Sequence, residues 1–181
     1  VKITDRGFFT RAAVEAAPAL LGKIICRRTA SGKILRARIT ETECYMGQED
    51  SASHAYRGKT ERNKIFFEEG GKAYVYLCYG IHEILNITCG KKDEPSAVML
   101  RSIAFEQPTG LSKHIVGPGL VGRALNVTRK EYGEDLISSK NIWLEDDGFI
   151  PPIIETLKRV GIKYAHPNDQ DRLWRFRIMK V

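Results

Sequence analysis

Hydrophobic and polar positions alternate at period two through KILRARITETECY, residues 33–45, the pattern of a strand with one covered face. The alternation predicts Leu35, Ala37 and Ile39 on the same side as Glu41, Glu43 and Tyr45. The covered side then turns acidic halfway along, so both carboxylates are expected to look inward or into a cleft. A carboxylate held there must be paired, hydrogen-bonded or protonated, and shifted pKa values and function gather at such groups.

The same pattern predicts the other elements. TRAAVEAAPALLG reads as a helix with Thr10 as N-cap, running to Leu21 and stopping at Gly22, with Pro18 an awkward residue near its end. IICRRT reads as a strand, and KAYVYLCYGIHEILNITC as two strands joined around Tyr79-Gly80-Ile81 in a hairpin. SAVMLRSIAF, NIWLED and LWRFRIM are further strands. IIETLKRVGI fits either type, and its β-branched content favours strand. GPGLVGRAL reads as a turn opening a short helix whose first N–H groups are suited to a phosphate. Many strands, few helices and no regular alternation of the two predict an α+β fold on a curved, mainly antiparallel sheet. No repeat or linker divides the chain, so residues 1–181 are expected to form a single domain.

Composition adds a bias toward polyanions. Lys and Arg number 29 against 22 Asp and Glu, a formal charge of +7, which raises nucleic acid among partners without proving it. The cysteines Cys26, Cys44, Cys78 and Cys89 form no C-x-x-C pair and read as buried thiols of a reducing compartment rather than zinc ligands or a disulfide framework. There is no signal-peptide pattern and no apolar run of membrane-spanning length, so a soluble intracellular protein is expected. Phosphate-binding G-x-x-x-x-G-K and nucleophilic G-x-S-x-G motifs are missing from the sequence.

Several chemistries remain open for the acids. Glu41 and Glu43 can each pair with Arg101 or Arg62, can join Glu49 and Asp50 in a metal site, or can serve as acid and base around a water, since roots two apart on a strand lie roughly 6.5–7 Å from each other. Tyr45, Tyr74, Tyr76 and Tyr79 suit either packing or the walls of a polar pocket, because a purely apolar core has no use for their hydroxyls. Asn86, between Leu85 and Ile87, fits a pocket donor and an ordinary backbone partner equally well. His54, in a stretch of small residues, is by itself an ordinary surface histidine as readily as a functional one.

Taken in order, ALLGKIICR, ITETECYMG, EDSASHAYRG, ERN, AYVYLCYGIHEILNIT, VMLRS, GPGLVGRALNVT and RVGI resemble the alkyladenine (3-methyladenine) DNA glycosylase family over nearly the whole chain. The resemblance implies a monofunctional base-excision enzyme that needs no cofactor or metal, acts on double-stranded DNA containing damaged purines, and leaves an abasic site without cutting the strand. It implies Glu43 as general base, Arg101 as the residue that keeps Glu43 ionised and holds the water, Tyr45 and Tyr76 as stacking walls, and His54 and Asn86 as pocket groups. Tyr79 would be the wedge that fills the gap left by a flipped nucleotide, and Glu41 a supporting residue. Arg57, Lys59, Arg62 and the GPG turn would contact phosphates. A monomer is expected, in the cytoplasm or nucleoid of a bacterium or the nucleus of a eukaryote. One departure stands out: Thr60-Glu61-Arg62-Asn63 carries an acid where many members of that family carry proline, close to the expected DNA. Rival readings are a metal-dependent nuclease built on Glu41, Glu43, Glu49 and Asp50, and a nucleic-acid-binding module without chemistry.

Overall fold

The computed structural model of the protein describes residues 1–106 and 112–179. In chain order the elements are α1 (Ala13–Leu20), β1 (Ile24–Arg28), β2 (Ile34–Tyr45), β3 (Ala73–Cys78), β4 (His82–Cys89), β5 (Ser96–Glu106), β6 (Ser112–Val116), α2 (Pro118–Ala124), β7 (Ile142–Glu145), β8 (Ile154–Leu157), α3 (Pro167–Asp171) and β9 (Arg175–Ile178). Among the described residues nine strands make one antiparallel sheet in the order β3-β4-β5-β2-β1-β7, with β6 on β5, β9 on β2 and β8 on β9. The expected α+β class on a curved antiparallel sheet is the class observed.

The sheet curls strongly because its two longest strands change partners along their length. β2 pairs with β1 through Ile34–Arg38 and with β9 through Glu41–Glu43. β5 pairs with β4 through Ser96–Met99 and with β6 from Ser102 onward. Between β2 and β5 the register slips at the same place, leaving Thr40 without a partner before Glu41↔Ser102 and Arg101 without one before Thr42↔Leu100. Such irregularities bend strands and re-aim side chains.

This bulge corrects the period-two reading of β2. Ala37 and Ile39 pack in the main core, and beyond the slip the core residues are Thr42 and Cys44, of the opposite parity: Cys44 joins the same apolar cluster and the Thr42 hydroxyl donates to Ala17 O of α1 at 2.9 Å. Glu41, Glu43 and Tyr45 therefore face away from the core that holds Ala37 and Ile39, and Leu35 is only half-buried. The acids are nonetheless buried, at 5% and 0% exposure, because other elements cover that second face.

Helix α1 lays Ala13, Ala16, Ala17 and Leu20 on the sheet. It begins at Ala13 with Ala12 as an N-cap lacking a side-chain bond, not after Thr10 as predicted. The preceding backbone is diverted: Phe9 O and Arg11 O both accept from Gly90 N, at 3.1 and 3.0 Å, which ties residues 9–11 to the end of β4 instead of to a helical turn. Gly22 follows the helix at φ 83°, as its C-terminal position requires. The ambiguous IIETLKRVGI supplies strand β8 and then irregular chain. Neither β6 nor α3 was expected from the sequence.

Candidate active site

The second face of β2 is covered by β5, by β9, by the hairpin β3–β4, by the loop after β2 and by the segment after β8. Glu43 sits at their meeting point with no exposed surface. Its Oε2 accepts from the Tyr45 hydroxyl at 2.9 Å and lies 3.4 Å from Arg101 Nη1. Its Oε1 accepts from the Val160 backbone N–H at 2.8 Å and lies 3.9 Å from Arg175 Nε. Burial pushes the Glu43 carboxyl above the usual range; the Arg101 charge, the Val160 N–H and the Tyr45 hydroxyl oppose that shift without cancelling it. Arg101, expected to keep this acid ionised, thus offsets only part of the desolvation. A carboxyl with a raised pKa is a better proton acceptor than an exposed one. Burial and the charge of Glu43 hold the Tyr45 phenol well above its normal range, so it stays a donor.

Glu41 is held by Ser102 Oγ at 2.9 Å, Arg175 Nη1 at 3.0 Å and Arg101 Nε at 3.4 Å. Of the two arginines considered as partners for the acids, Arg101 takes that role. Arg62 lies elsewhere, its guanidinium 5.3 Å from the centre of the Tyr76 ring.

Beside the acids is a cavity lined by Tyr45, His54, Tyr74, Tyr76, Asn86 and Tyr164, with Met99 and Ala97 of β5 among its other walls. It opens into a larger cleft whose sides include Tyr79, Arg101, Val160 and Arg62. The structure thus brings Tyr45, His54, Tyr76 and Asn86 together around one space. Tyr74 and Tyr76 point the same way from β3, which puts Tyr74 against Asn86 across the hairpin. The His54 ring meets Tyr76 edge-on at 4.7 Å, and its Nδ1 lies 2.9 Å from the Tyr74 hydroxyl. Desolvation by these rings, then the charge of Arg62, lowers the imidazole pKa to about 4, so at neutral pH it is uncharged. The Asn86 amide nitrogen donates to Tyr74 O at 3.2 Å and Ile84 O at 3.5 Å, so of its two open roles the backbone one claims the donor.

Tyr79 stands at the tip of the hairpin, 90% exposed, with φ 49°, and Gly80 after it has φ 73°. Left-handed geometry at both positions lets a three-residue turn close between Cys78 and His82. Arg57 and Arg62 line a groove that continues from the cleft past His54. Glu61, the acid in the Thr60–Asn63 loop, points to solvent and pairs with Lys64 at 3.0 Å; the loop keeps its shape through Asn63 instead.

Asn63 is among the residues whose role sequence reasoning missed. Almost fully buried, it donates to His54 O at 2.8 Å and Gly58 O at 3.0 Å and accepts from Thr60 N at 2.6 Å. It staples the loop that presents His54. A second is Arg159, whose Nη1 and Nη2 grip both oxygens of Asp50 at 2.5 and 2.8 Å, both side chains having no exposure. Arg159 also donates to Cys44 O and Asp169 O and lies 4.9 Å from the centre of the Tyr45 ring. This pair fixes the segment whose Val160 N–H holds Glu43. The sequence suggests Asp50 only as a metal ligand, yet its Oδ1 accepts from Ala52 N two residues on, a turn that Asp before small residues signals. With Asp50 committed to Arg159, the four acids of the nuclease reading do not converge, and no group of three or more His, Cys, Asp or Glu side chains able to hold a metal occurs among the described residues.

Comparison with known proteins bears on this arrangement. Residues 7–180 match the methylpurine-DNA glycosylase family model. A protein of Borrelia garinii subsp. bavariensis is 39% identical, over 96% of this chain and 95% of its own length. One from Clostridium novyi is 39% identical over 98% and 96%, and one from Psychrobacter cryohalolentis 36% identical over 90% and 86%. All three are named as 3-methyladenine DNA glycosylases. A match that runs from the chain ahead of α1 to the end of β9 takes in every strand and loop that forms the cavity, and on that ground the chain belongs to the methylpurine-DNA glycosylase family of enzymes.

Proposed function

We propose that the protein flips an alkylated or deaminated purine nucleotide out of duplex DNA into the Tyr45–His54–Tyr76 cavity and hydrolyses its N-glycosidic bond with a water activated by Glu43. The observation that carries this reading is the placement of a fully buried carboxylate whose three closest partners, Tyr45, Arg101 and Val160, all line the cleft beside an aromatic cavity.

A purine stacked in duplex cannot present its glycosidic carbon to a buried acid, so the nucleotide has to leave the helix. Tyr79, at an exposed turn, is suited to enter the gap and offset the lost stacking. Arg57 and Arg62 are suited to the flanking phosphates. Alkylation at N3 or N7 makes the purine cationic, and a cation between the Tyr45 and Tyr76 rings gains cation–π attraction, about 0.5–2 kcal/mol per favourable ring. As the bond from sugar to base breaks, its electrons neutralise a cationic base, which leaves; a neutral base such as hypoxanthine must take up a proton as it leaves, from a donor other than the Glu43 carboxylate. Water adds to the sugar carbon and gives its proton to Glu43. Negative charge on Glu43 also stabilises the oxocarbenium-like sugar, and among the described residues no lysine lines the cavity or the cleft to form a Schiff base, so the strand is expected to stay intact. DNA as substrate implies the compartment that holds the chromosome, and a monomer suffices for these steps.

The test is single-turnover release of 3-methyladenine or hypoxanthine from a duplex in EDTA by the native protein and by Glu43→Gln. Release by the native protein alone, with the abasic strand uncut, is the expected result. Equal release by Glu43→Gln overturns the role of Glu43, and binding without release by both proteins would leave a DNA-binding module.

A further inference from the structure

Around the two acids of β2, charge is distributed unevenly. Arg101 spans both carboxylates with its two nearest contacts, to Glu41 and to Glu43, each at 3.4 Å. Charge-assisted N–H···O bonds settle near 2.7–2.9 Å, so Arg101 saturates neither acid. Arg175 lies closer to Glu41, at 3.0 Å, than to Glu43, at 3.9 Å, and its Nε is spent on Lys158 O at 2.8 Å. Glu41 is additionally fixed by Ser102 Oγ and is 5% exposed. Two guanidinium groups thus serve two buried carboxylates, and the one without an assigned chemical step holds the larger share.

We infer that Glu41 is a positioning residue for the reaction: with Ser102 it draws the Arg101 and Arg175 guanidinium groups toward itself, and so leaves Glu43 a stronger base than it would be with both arginines to itself. The inference rests on Glu43 being the base. The geometry gives it a mechanism. Arg101 enters the site from the unpaired position on β5, at the register shift between Glu41 and Thr42 that directly follows the one at Thr40, so two adjacent irregularities turn Glu41 into the site and deliver the arginine it shares. A tight Arg101–Glu43 bond would stabilise the carboxylate and weaken it as a proton acceptor. Dividing Arg101 between two acids keeps it near the expected water position without that cost. The ionisable groups facing Glu43 are Tyr45 from β2, Arg101 from β5, Arg175 from β9 and Tyr164 from the segment after β8; Glu41 of β2 shares Arg101 and Arg175 with it and also faces Arg177 of β9. Among them Glu41 is the carboxylate whose removal takes negative charge from Glu43's own partners.

The experiment is the pH dependence of single-turnover base release from duplex DNA methylated with dimethyl sulfate, whose cationic lesions need no acid catalyst, for the native protein, Glu41→Gln and Arg175→Gln. Glu41→Gln keeps the shape and the Ser102 contact. Its acid limb is expected to move to lower pH by about one unit, the usual scale for one neighbouring charge, with a lower plateau. Arg175→Gln removes a cation and is expected to move the limb upward. Opposite shifts support the inference. Limbs that coincide with the native one in both variants, with only the plateau or the folded fraction lowered, make Glu41 merely structural and overturn it, as does an upward shift in Glu41→Gln. If Glu43→Gln releases bases with the native limb, the base assignment itself fails; if Glu43→Gln is inactive while the other limbs stay put, only the role of Glu41 fails.

Discussion

His54 shows how a single residue acquires its character from its neighbours. Free histidine is half-charged near pH 6.5, but in the folded protein the Tyr74 and Tyr76 rings and the Arg62 charge hold it uncharged down to about pH 4. A neutral imidazole whose Nδ1 faces the Tyr74 hydroxyl keeps its other nitrogen available to a further hydrogen-bond partner. The cost appears as acid sensitivity. Between pH 6.5 and 4 the unfolded chain binds a proton at this position that the folded chain does not, so stability is full above pH 6.5, falls as pH drops through that window and levels off below pH 4. His54→Gln is expected to flatten that part of the curve, read from urea midpoints at several pH values; an unchanged slope would place the acid sensitivity elsewhere.

At the scale of elements, the hairpin β3–β4 carries both a pocket wall and the exposed Tyr79, and helix α2 is what braces it. A side-chain carbon on Gly122 would come within 2.0 Å of the Glu83 backbone oxygen, and one on Gly119 within 2.8 Å of the His82 ring. Backbone cannot yield where a side chain can rotate. Gly122→Ala is therefore expected to push α2 off the hairpin, cost about 1–3 kcal/mol and weaken binding to lesion-bearing duplex, while Gly119→Ala has a smaller effect on both. Thermal midpoints and DNA titrations of the two variants check this ordering; equal effects would mean that α2 does not brace the hairpin. The GPG turn was legible as the start of this helix, with Gly117 at φ 107° and Pro118 in the first turn. Its packing on β4 was not, since glycine spacing does not say which surface comes close.

For the molecule as a whole, the buried Arg159–Asp50 pair joins the loop after β2 to the segment after β8, positions 109 residues apart. Removing one partner strands the other charge without water. Asp50→Asn is expected to cost about 3–5 kcal/mol, seen as a lower urea midpoint, and to slow base release as Val160 loses its grip on Glu43. A midpoint close to native would show that the pair is replaceable. Such a pair is invisible in sequence, where Asp50 beside Glu49 suggests an acidic cluster instead.

The sequence by itself determined the class of fold, most of the strands, the hairpin turn and the family, because alternation, turn residues and motif order are local properties written along the chain. It also put Glu43, Tyr45, His54, Tyr76, Asn86 and Arg101 on one list as candidates. Only the tertiary structure decided that Glu41 and Glu43 face a side opposite to Ala37 and Ile39, because a bulge resets the phase of a strand and depends on the partner strand's register. It alone chose Arg101 over Arg62 and added Arg175 as partners of the acids, and joined Asp50 to Arg159. Those are bonds between groups distant in sequence, whose strength comes from burial that no single segment can provide.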